Sequence, residues 1–216
     1  MAQKEISCGS YRLTRKDNNG HKCIEVETKR KLTSGEKQMA RTMFQGSINY
    51  DLVFICRGGI FHDVTGNART LGNEITLPSK SYDNYPDFSN NSVSQTKKNW
   101  FIHEMAHIWQ YQLSYNTLLA GACIFARGDY FGEDAQHNGK AVNKPMAYNF
   151  HIVKDNKNFP NFNMEQQAEI IAHYYDISIR KTRSDYYQYR DDYYKILKAF
   201  FSDPFNRDLL PTGVTI

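Results

Sequence analysis

The run His103-Glu104-Met105-Ala106-His107 holds the residues of this chain best suited to chemistry. Positions four apart on a helix share a face, so both imidazoles can address one metal ion. Glu104, one position round, can reach a water at that metal. Two neutral nitrogen ligands, an open coordination position and a carboxylate base are what metal-assisted hydrolysis requires. Residues 96–115 contain no Gly or Pro and are apolar around most of a helical circumference. Ile102, Ala106, Trp109 and Leu113 form one stripe, flanked by Phe101, Met105 and Ile108. That pattern predicts a buried helix. Buried histidines and a buried glutamate need partners. The alternative, two core histidines satisfied by ordinary hydrogen bonds, leaves the glutamate unexplained.

A catalytic zinc usually takes three protein ligands and a water. The segment from Asn163 to His173, Asn-Met-Glu-Gln-Gln-Ala-Glu-Ile-Ile-Ala-His, is the best source of the third. Asn163 with Gln166 three residues on reads as a capping box, so a helix should begin there. Glu165 and Glu169 then stand one turn apart on one face. One can bind metal while the other accepts a hydrogen bond from the free nitrogen of a ligand histidine. The competing reading is a solvated acidic first turn, which the helix dipole favours; the upstream histidine pair weighs against it. His21, His62, His137 and His151 have no ligand spacing to one another and read as ordinary histidines. His173, Tyr174, Tyr186 and Tyr187 are candidates to stabilise an oxyanion by residue type only and are not assigned to the site. Two imidazoles and a carboxylate suit zinc, although affinity alone does not exclude nickel or cobalt.

At this point the sequence resembles the gluzincin metallopeptidases, in which H-E-x-x-H on one helix is followed by Glu-x-x-x-Asp or Glu-x-x-Ala-Asp on a second. The resemblance implies that Glu165 is the third zinc ligand. It puts Glu169 in the place of the acid that orients a ligand histidine, one methylene longer than the usual Asp. A longer resemblance runs over residues 32–171. It is carried by Leu32-Thr33-x-Gly35-Glu36, Ala40-Arg41-x-x-Phe44-x-Gly46-x-Ile48-x-Tyr50, Ile102-His-Glu-Met-Ala-His-Ile-Trp-Gln-Tyr-Gln112 and Asn163-Met-Glu-Gln-Gln-Ala-Glu-Ile-Ile171. These blocks are similar, in order, to the bacterial Rhs/Vgr-associated metallopeptidases found near type VI secretion components. That resemblance implies a bacterial effector acting on a protein or peptide substrate, with a secretion-system carrier and a cognate inhibitor protein as partners. It would be cytoplasmic in the producing cell. Two other readings stay open: a peptidase of peptidoglycan stems, and a binding module of the secretion apparatus with a vestigial zinc site. Glu104 argues against the second, because a purely structural site needs no base.

Composition sets the outer bounds. The 216 residues, 40% of them hydrophobic, suffice for one well-buried soluble domain. No apolar run approaches a membrane span. The first residues, Met-Ala-Gln-Lys-Glu-Ile, lack the apolar centre of a signal peptide, so export is expected to bypass the general secretory route. Net charge is +4. Lys29-Arg30-Lys31 and Lys97-Lys98 are the notable basic clusters; they read as solvated surface, and no nucleic-acid partner is expected. Cys8, Cys23, Cys56 and Cys123 form no C-x-x-C pair and read as reduced thiols, with a disulfide as the alternative in an oxidising compartment.

The elements that must position the site follow from local patterns. Asn19-Gly20 between residues 11–15 and 23–27 suggests a hairpin. Thr33-Ser-Gly-Glu36 is a capping box opening a short helix that ends near Gly46. Residues 52–56 and 73–77 read as strands, and residues 79–95 as a polar, turn-rich approach to the histidine helix. Residues 128–143 read as a second polar loop. Tyr148, Phe150 and Ile152 alternate like a strand, with an irregular segment as the equal alternative. The Glu165 helix should run to about Arg180, and Ser184 should cap a last helix through about Phe201, stopped by Pro204. The resulting fold class is α+β: residues 1–31 form an N-terminal hairpin or extension. Residues 32–216 form one domain, a small sheet packed on two metal-binding helices, which the gluzincin resemblance implies is zincin-like.

Overall fold

In chain order the elements are β1 (Lys29–Lys31), α1 (Ser34–Phe44), β2 (Phe54–Arg57), β3 (Arg69–Leu71) and β4 (Glu74–Leu77). Helices α2 (Ser79–Asn84), α3 (Gln95–Gln112) and α4 (Thr117–Ala126) follow. Then come β5 (Ala135–His137), β6 (Lys140–Val142), α5 (Met164–Tyr174), α6 (Ser184–Tyr187) and α7 (Arg190–Ser202). The structure is a computed structural model, and it describes residues 28–59, 63, 66–130, 135–137, 140–142, 145–181 and 184–212. The Asn19-Gly20 hairpin expected from the sequence lies outside the described residues.

A four-stranded sheet has the order β1-β2-β4-β3. Its central pair, β2 and β4, is parallel with Ile55 opposite Ile75, while β1 and β3 pair antiparallel at the two edges. Gly72, at φ +61°, closes the β3–β4 hairpin, where a positive φ suits glycine. Edge strand β3 lies against α3, and α5 packs on α3 as well. The fold is therefore α+β, one small sheet packed against helices, as the sequence predicts.

Helix α3 is the axis of the core. Phe101, Ile102, Met105, Ala106, Ile108 and Trp109 are all buried, and Trp109 Nε1–H donates to the Pro204 carbonyl at 2.7 Å. The Trp109 ring meets Phe200 of α7 edge-on, with centroids 5.2 Å apart. Burial of this whole circumference, rather than one stripe, is what holds the histidine face rigid.

Several boundaries differ from the local reading. Helix α3 stops at Gln112 because Ser114 turns left-handed (φ 73°), sending its N–H to Tyr111 O and the N–H of Tyr115 to Gln110 O at 2.9 Å. This is a Schellman closure without the usual glycine. The second strand begins at Phe54 because Asn49 caps a 3₁₀ turn over Tyr50–Leu52. Residues 79–84 are helical rather than irregular, and the polar loop after Gly128 contains the β5–β6 hairpin. The segment at Tyr148 is a 3₁₀ turn leading into irregular chain, not a strand. Helix α5 passes after Tyr174 into a π-helical stretch, Tyr175–Arg180, closed by left-handed Lys181. The single helix expected from Ser184 is two, α6 and α7, separated by a turn in which Tyr189 N–H bonds Tyr186 O.

The solvated reading of the basic clusters holds for the exposed Lys31 but not for Lys98 or Arg30. Lys98 is buried, with Nζ 3.4 Å from Ser89 O, and Lys97 lies over the Trp100 ring at 3.9 Å. Arg30 grips the buried Glu36 carboxylate through two bonds of 2.9 and 2.8 Å. These charges do internal work because each finds an acid, a carbonyl or an aromatic face. Among the described residues Cys56 and Cys123 form no disulfide; Cys8 and Cys23 lie outside them.

Candidate metal centre

Two helices supply the site. Ser94 caps α3, and one turn spacing then puts His103 and His107 on the same side of it. Asn163 caps α5 in the box the sequence implied: its side chain accepts from Gln166 N at 2.8 Å while Gln166 Oε1 accepts from Asn163 N at 3.2 Å. This start places Glu165 in the first turn, facing α3. His103 Nε2, His107 Nε2 and Glu165 Oε2 then form an equilateral triangle with all three edges 3.2 Å long. All three residues are buried, and together they form a group that can hold a metal ion.

The protonation of this triangle is set from behind. Gln167 Nε2 donates to the carbonyls of Phe159 and Leu209, both at 2.9 Å, so Gln167 Oε1 is turned inward as an acceptor. Gln110 Nε2 donates to that oxygen at 3.1 Å and to Met164 O at 3.2 Å, which turns Gln110 Oε1 toward His107 Nδ1 at 2.9 Å. An amide oxygen only accepts, so His107 Nδ1 carries the hydrogen and its Nε2 presents a lone pair to the triangle. His103 Nδ1 faces Glu169 Oε1 at 3.2 Å, off the ideal hydrogen-bond line but again toward an acceptor. Three acceptor atoms thus converge, and only a proton or a metal ion between them reconciles the arrangement. Without metal, protons take that role. Burial opposes charge on His103, yet contacts with Glu165 and Glu169 hold its pKa well above the ordinary imidazole value. Burial likewise opposes charge on His107, but Glu165 raises it. Glu165 is held below the carboxylate range by the two histidines in spite of its burial.

The donor set fits a metal geometrically. Neighbouring ligands in a tetrahedral zinc site with bonds of ~2.0–2.1 Å stand roughly 3.3 Å apart, close to the triangle found here. Tyr130 donates its hydroxyl hydrogen to Glu165 Oε1 at 2.6 Å, so the other oxygen alone belongs to the triangle. Glu104 is buried beside it, and Thr70 of edge strand β3 donates to Glu104 Oε2 at 2.6 Å. Tyr148 lies with its ring centroid 6.1 Å from that of His103 and 6.0 Å from that of Tyr130. Burial, then Glu165, Glu104 and Glu169, push the Tyr148 hydroxyl up, so it stays protonated.

Of the residues singled out in the sequence, His103, Glu104, His107, Glu165 and Glu169 are brought together. His151 is elsewhere: its Nδ1 accepts from the backbone N–H groups of Val153 and Lys154, and its ring meets Tyr189. His21 and His62 lie outside the described residues. Tyr174 packs on Phe201, with centroids 5.0 Å apart, and Tyr186 stacks on His173. Thr70, Gln110, Tyr130 and Tyr148 were missed. Only Gln110, one turn after Ala106 on the histidine helix, carried a local signal, the three-residue offset from His107.

No protein-family profile matches the chain. Over 158 residues it is 28% identical to the type VI secretion system spike protein VgrG2b of Pseudomonas aeruginosa, a match covering 70% of this chain and 13% of that protein. Among solved structures, the effector domain of Pseudomonas aeruginosa VgrG2b superposes with a TM-score of 0.53 at 22% identity. That superposition covers 78% of this chain and 82% of the solved one. The chain therefore spans a small part of the whole spike protein and shares its fold with that protein's effector domain.

Proposed function

We propose that the protein is a zinc-dependent hydrolase of peptide bonds, of gluzincin type, and that it serves as an effector of a type VI secretion machine. The observation that carries the chemistry is the triangle of three acceptor atoms, His103 Nε2, His107 Nε2 and Glu165 Oε2, each pair 3.2 Å apart. Two imidazoles and one carboxylate are the ligand chemistry of a catalytic rather than a structural zinc. The effector role rests on the similarity to VgrG2b, on the resemblance to Rhs/Vgr-associated metallopeptidases, and on a retained Glu104. A spike carrier and a cognate inhibitor protein are the partners this role entails.

His103, His107 and Glu165 would hold the ion, with Glu169 orienting His103. Bound zinc supplies a Lewis acid that polarises a carbonyl and makes water a nucleophile near neutral pH. Glu104 takes the proton of the attacking water and passes it to the leaving nitrogen. Thr70 holds one oxygen of Glu104 and leaves the other for that proton. Tyr148, a protonated phenol beside His103, offers a hydrogen bond to the tetrahedral oxyanion.

The test pairs chemistry with target. Zinc-loaded wild type and Glu104→Gln are incubated with mixed proteins and, separately, with purified peptidoglycan sacculi, and products are read by mass. The wild type should cleave one of the two, and Glu104→Gln should keep zinc while losing activity by about 10²- to 10⁴-fold. Cleavage of neither substrate, or full activity in Glu104→Gln, contradicts the hydrolase. Expression of both forms in the cytoplasm or periplasm of a bacterium then tests the effector role. Toxicity of the wild type alone, in one compartment, is the expected outcome.

A further inference from the structure

Beyond the cluster itself, the carboxylate of Glu169 is shared between two histidines. Its Oε1 faces His103 Nδ1 at 3.2 Å and its Oε2 lies 3.0 Å from His173 Nε2. His173 is buried one turn after Glu169 on α5, and its other nitrogen, Nδ1, lies 2.9 Å from the Tyr193 hydroxyl of α7. The ring of Tyr186 stacks on His173 with centroids 4.2 Å apart and planes 18° apart, and Phe150 lies against it at 5.8 Å. A continuous chain of polar contacts thus runs from the candidate metal ligand His103 through Glu169 and His173 to Tyr193. It ties the last long helix of the chain to the centre.

The Glu169 carboxylate sits at the end of a flexible side chain and can swing away from a histidine unless its second oxygen is held. Glu169 is one methylene longer than the aspartate the resemblance implies, which makes that freedom larger. Holding the second oxygen needs a donor that is itself immobile. His173 meets this requirement: it is buried, stacked on the Tyr186 ring and fixed at its far nitrogen by Tyr193. Its Nε2 must carry a hydrogen, since the carboxylate oxygen opposite only accepts.

We propose that His173 is a positioning residue for the metal centre, acting through Glu169 to hold His103 with its Nε2 lone pair toward the ion. The proposal rests on the reading of His103, His107 and Glu165 as metal ligands. Outer contacts of this kind typically change metal affinity by about 10- to 100-fold. Gln at position 173 can place an amide N–H near the site of Nε2, whereas Leu cannot.

The experiment measures Co²⁺ affinity by chelator competition, and the Co²⁺ visible spectrum, for the full chain and its His173→Gln, His173→Leu and Glu169→Ala variants. The double variant His173→Leu/Glu169→Ala is included, and circular dichroism of each metal-free protein monitors the fold. His173→Leu should bind Co²⁺ about 10- to 100-fold more weakly with an altered spectrum, and His173→Gln should recover most of the loss. On the Glu169→Ala background, His173→Leu should cost nothing further, because its route to the metal is already cut. Wild-type affinity in His173→Leu overturns the proposal. So do losses that add independently in the double variant, or that appear equally in a folded His173→Gln. Failure of the wild type itself to bind Co²⁺ overturns the metal-centre reading and this inference together, and is distinguished by that control alone.

Discussion

Tyr130 donates its hydroxyl hydrogen to Glu165 Oε1 at 2.6 Å, which leaves Oε2 alone to face His103 and His107. The bond separates the two oxygens of one carboxylate into a held atom and a ligand atom. Tyr130→Phe frees the carboxylate to rotate. The expected outcome is zinc affinity reduced by about 10-fold with the fold intact, measured by chelator competition. Unchanged affinity would show that Glu165 is positioned by its own helix.

Thr70 and Glu104 are joined across the gap between the sheet edge and the histidine helix. Thr70→Val keeps the shape and removes the donor. A hydrogen bond to a charged group is worth about 1.5–3 kcal/mol. Turnover should therefore fall by roughly 10- to 100-fold while zinc content stays at the wild-type level. Loss of zinc in this variant would assign Thr70 to the metal cluster rather than to the base.

For Tyr148 the expected effect lies in the transition state. Tyr148→Phe should lower kcat by about 10²- to 10³-fold with little change in KM, as for the loss of one oxyanion donor. A rise in KM at constant kcat would make Tyr148 a substrate-binding residue instead.

The metal-free protein should show a distinctive pH profile. Glu165 and Glu169 have folded pKa values below their unfolded ones, mainly because His103, His107 and His173 outweigh the effect of burial. Their contribution to stability is present above the unfolded value of about 4.3 and is lost as pH falls below it. His103 has a folded pKa well above its unfolded one, so its contribution is full below about 6.5 and is lost as pH rises through the folded value. Thermal melts of metal-free protein should therefore peak between these limits. Zinc should move the maximum upward, because the ligand form of histidine is neutral. A metal-free maximum above pH 8 contradicts the paired-histidine state.

What the sequence made legible was local. The four-residue step from His103 to His107 and the three-residue step from Asn163 to Gln166 each lie within one helical turn, so spacing alone predicts their geometry. The capping box at Thr33 is of the same kind and is present. Thr70, Tyr130 and Tyr193 reach the site from other elements, and only the tertiary path brings them there. The end of α3 was misplaced because a serine, not a glycine, takes the left-handed position. Lys98 looked solvated because its carbonyl partner on Ser89 lies in a preceding loop with no pattern to announce it.

The central claim is that His103, His107 and Glu165 hold one metal ion, and zinc stoichiometry tests it most directly. Metal-depleted wild type and the His103→Ala, His107→Ala and Glu165→Ala variants are reloaded with zinc, desalted and measured by elemental mass spectrometry. Circular dichroism of each metal-free protein serves as the fold control. The account predicts about one zinc per chain in the wild type and strong loss in each folded variant, as expected for a site with three protein ligands. Full zinc retention in Glu165→Ala, or none in the wild type, would contradict it.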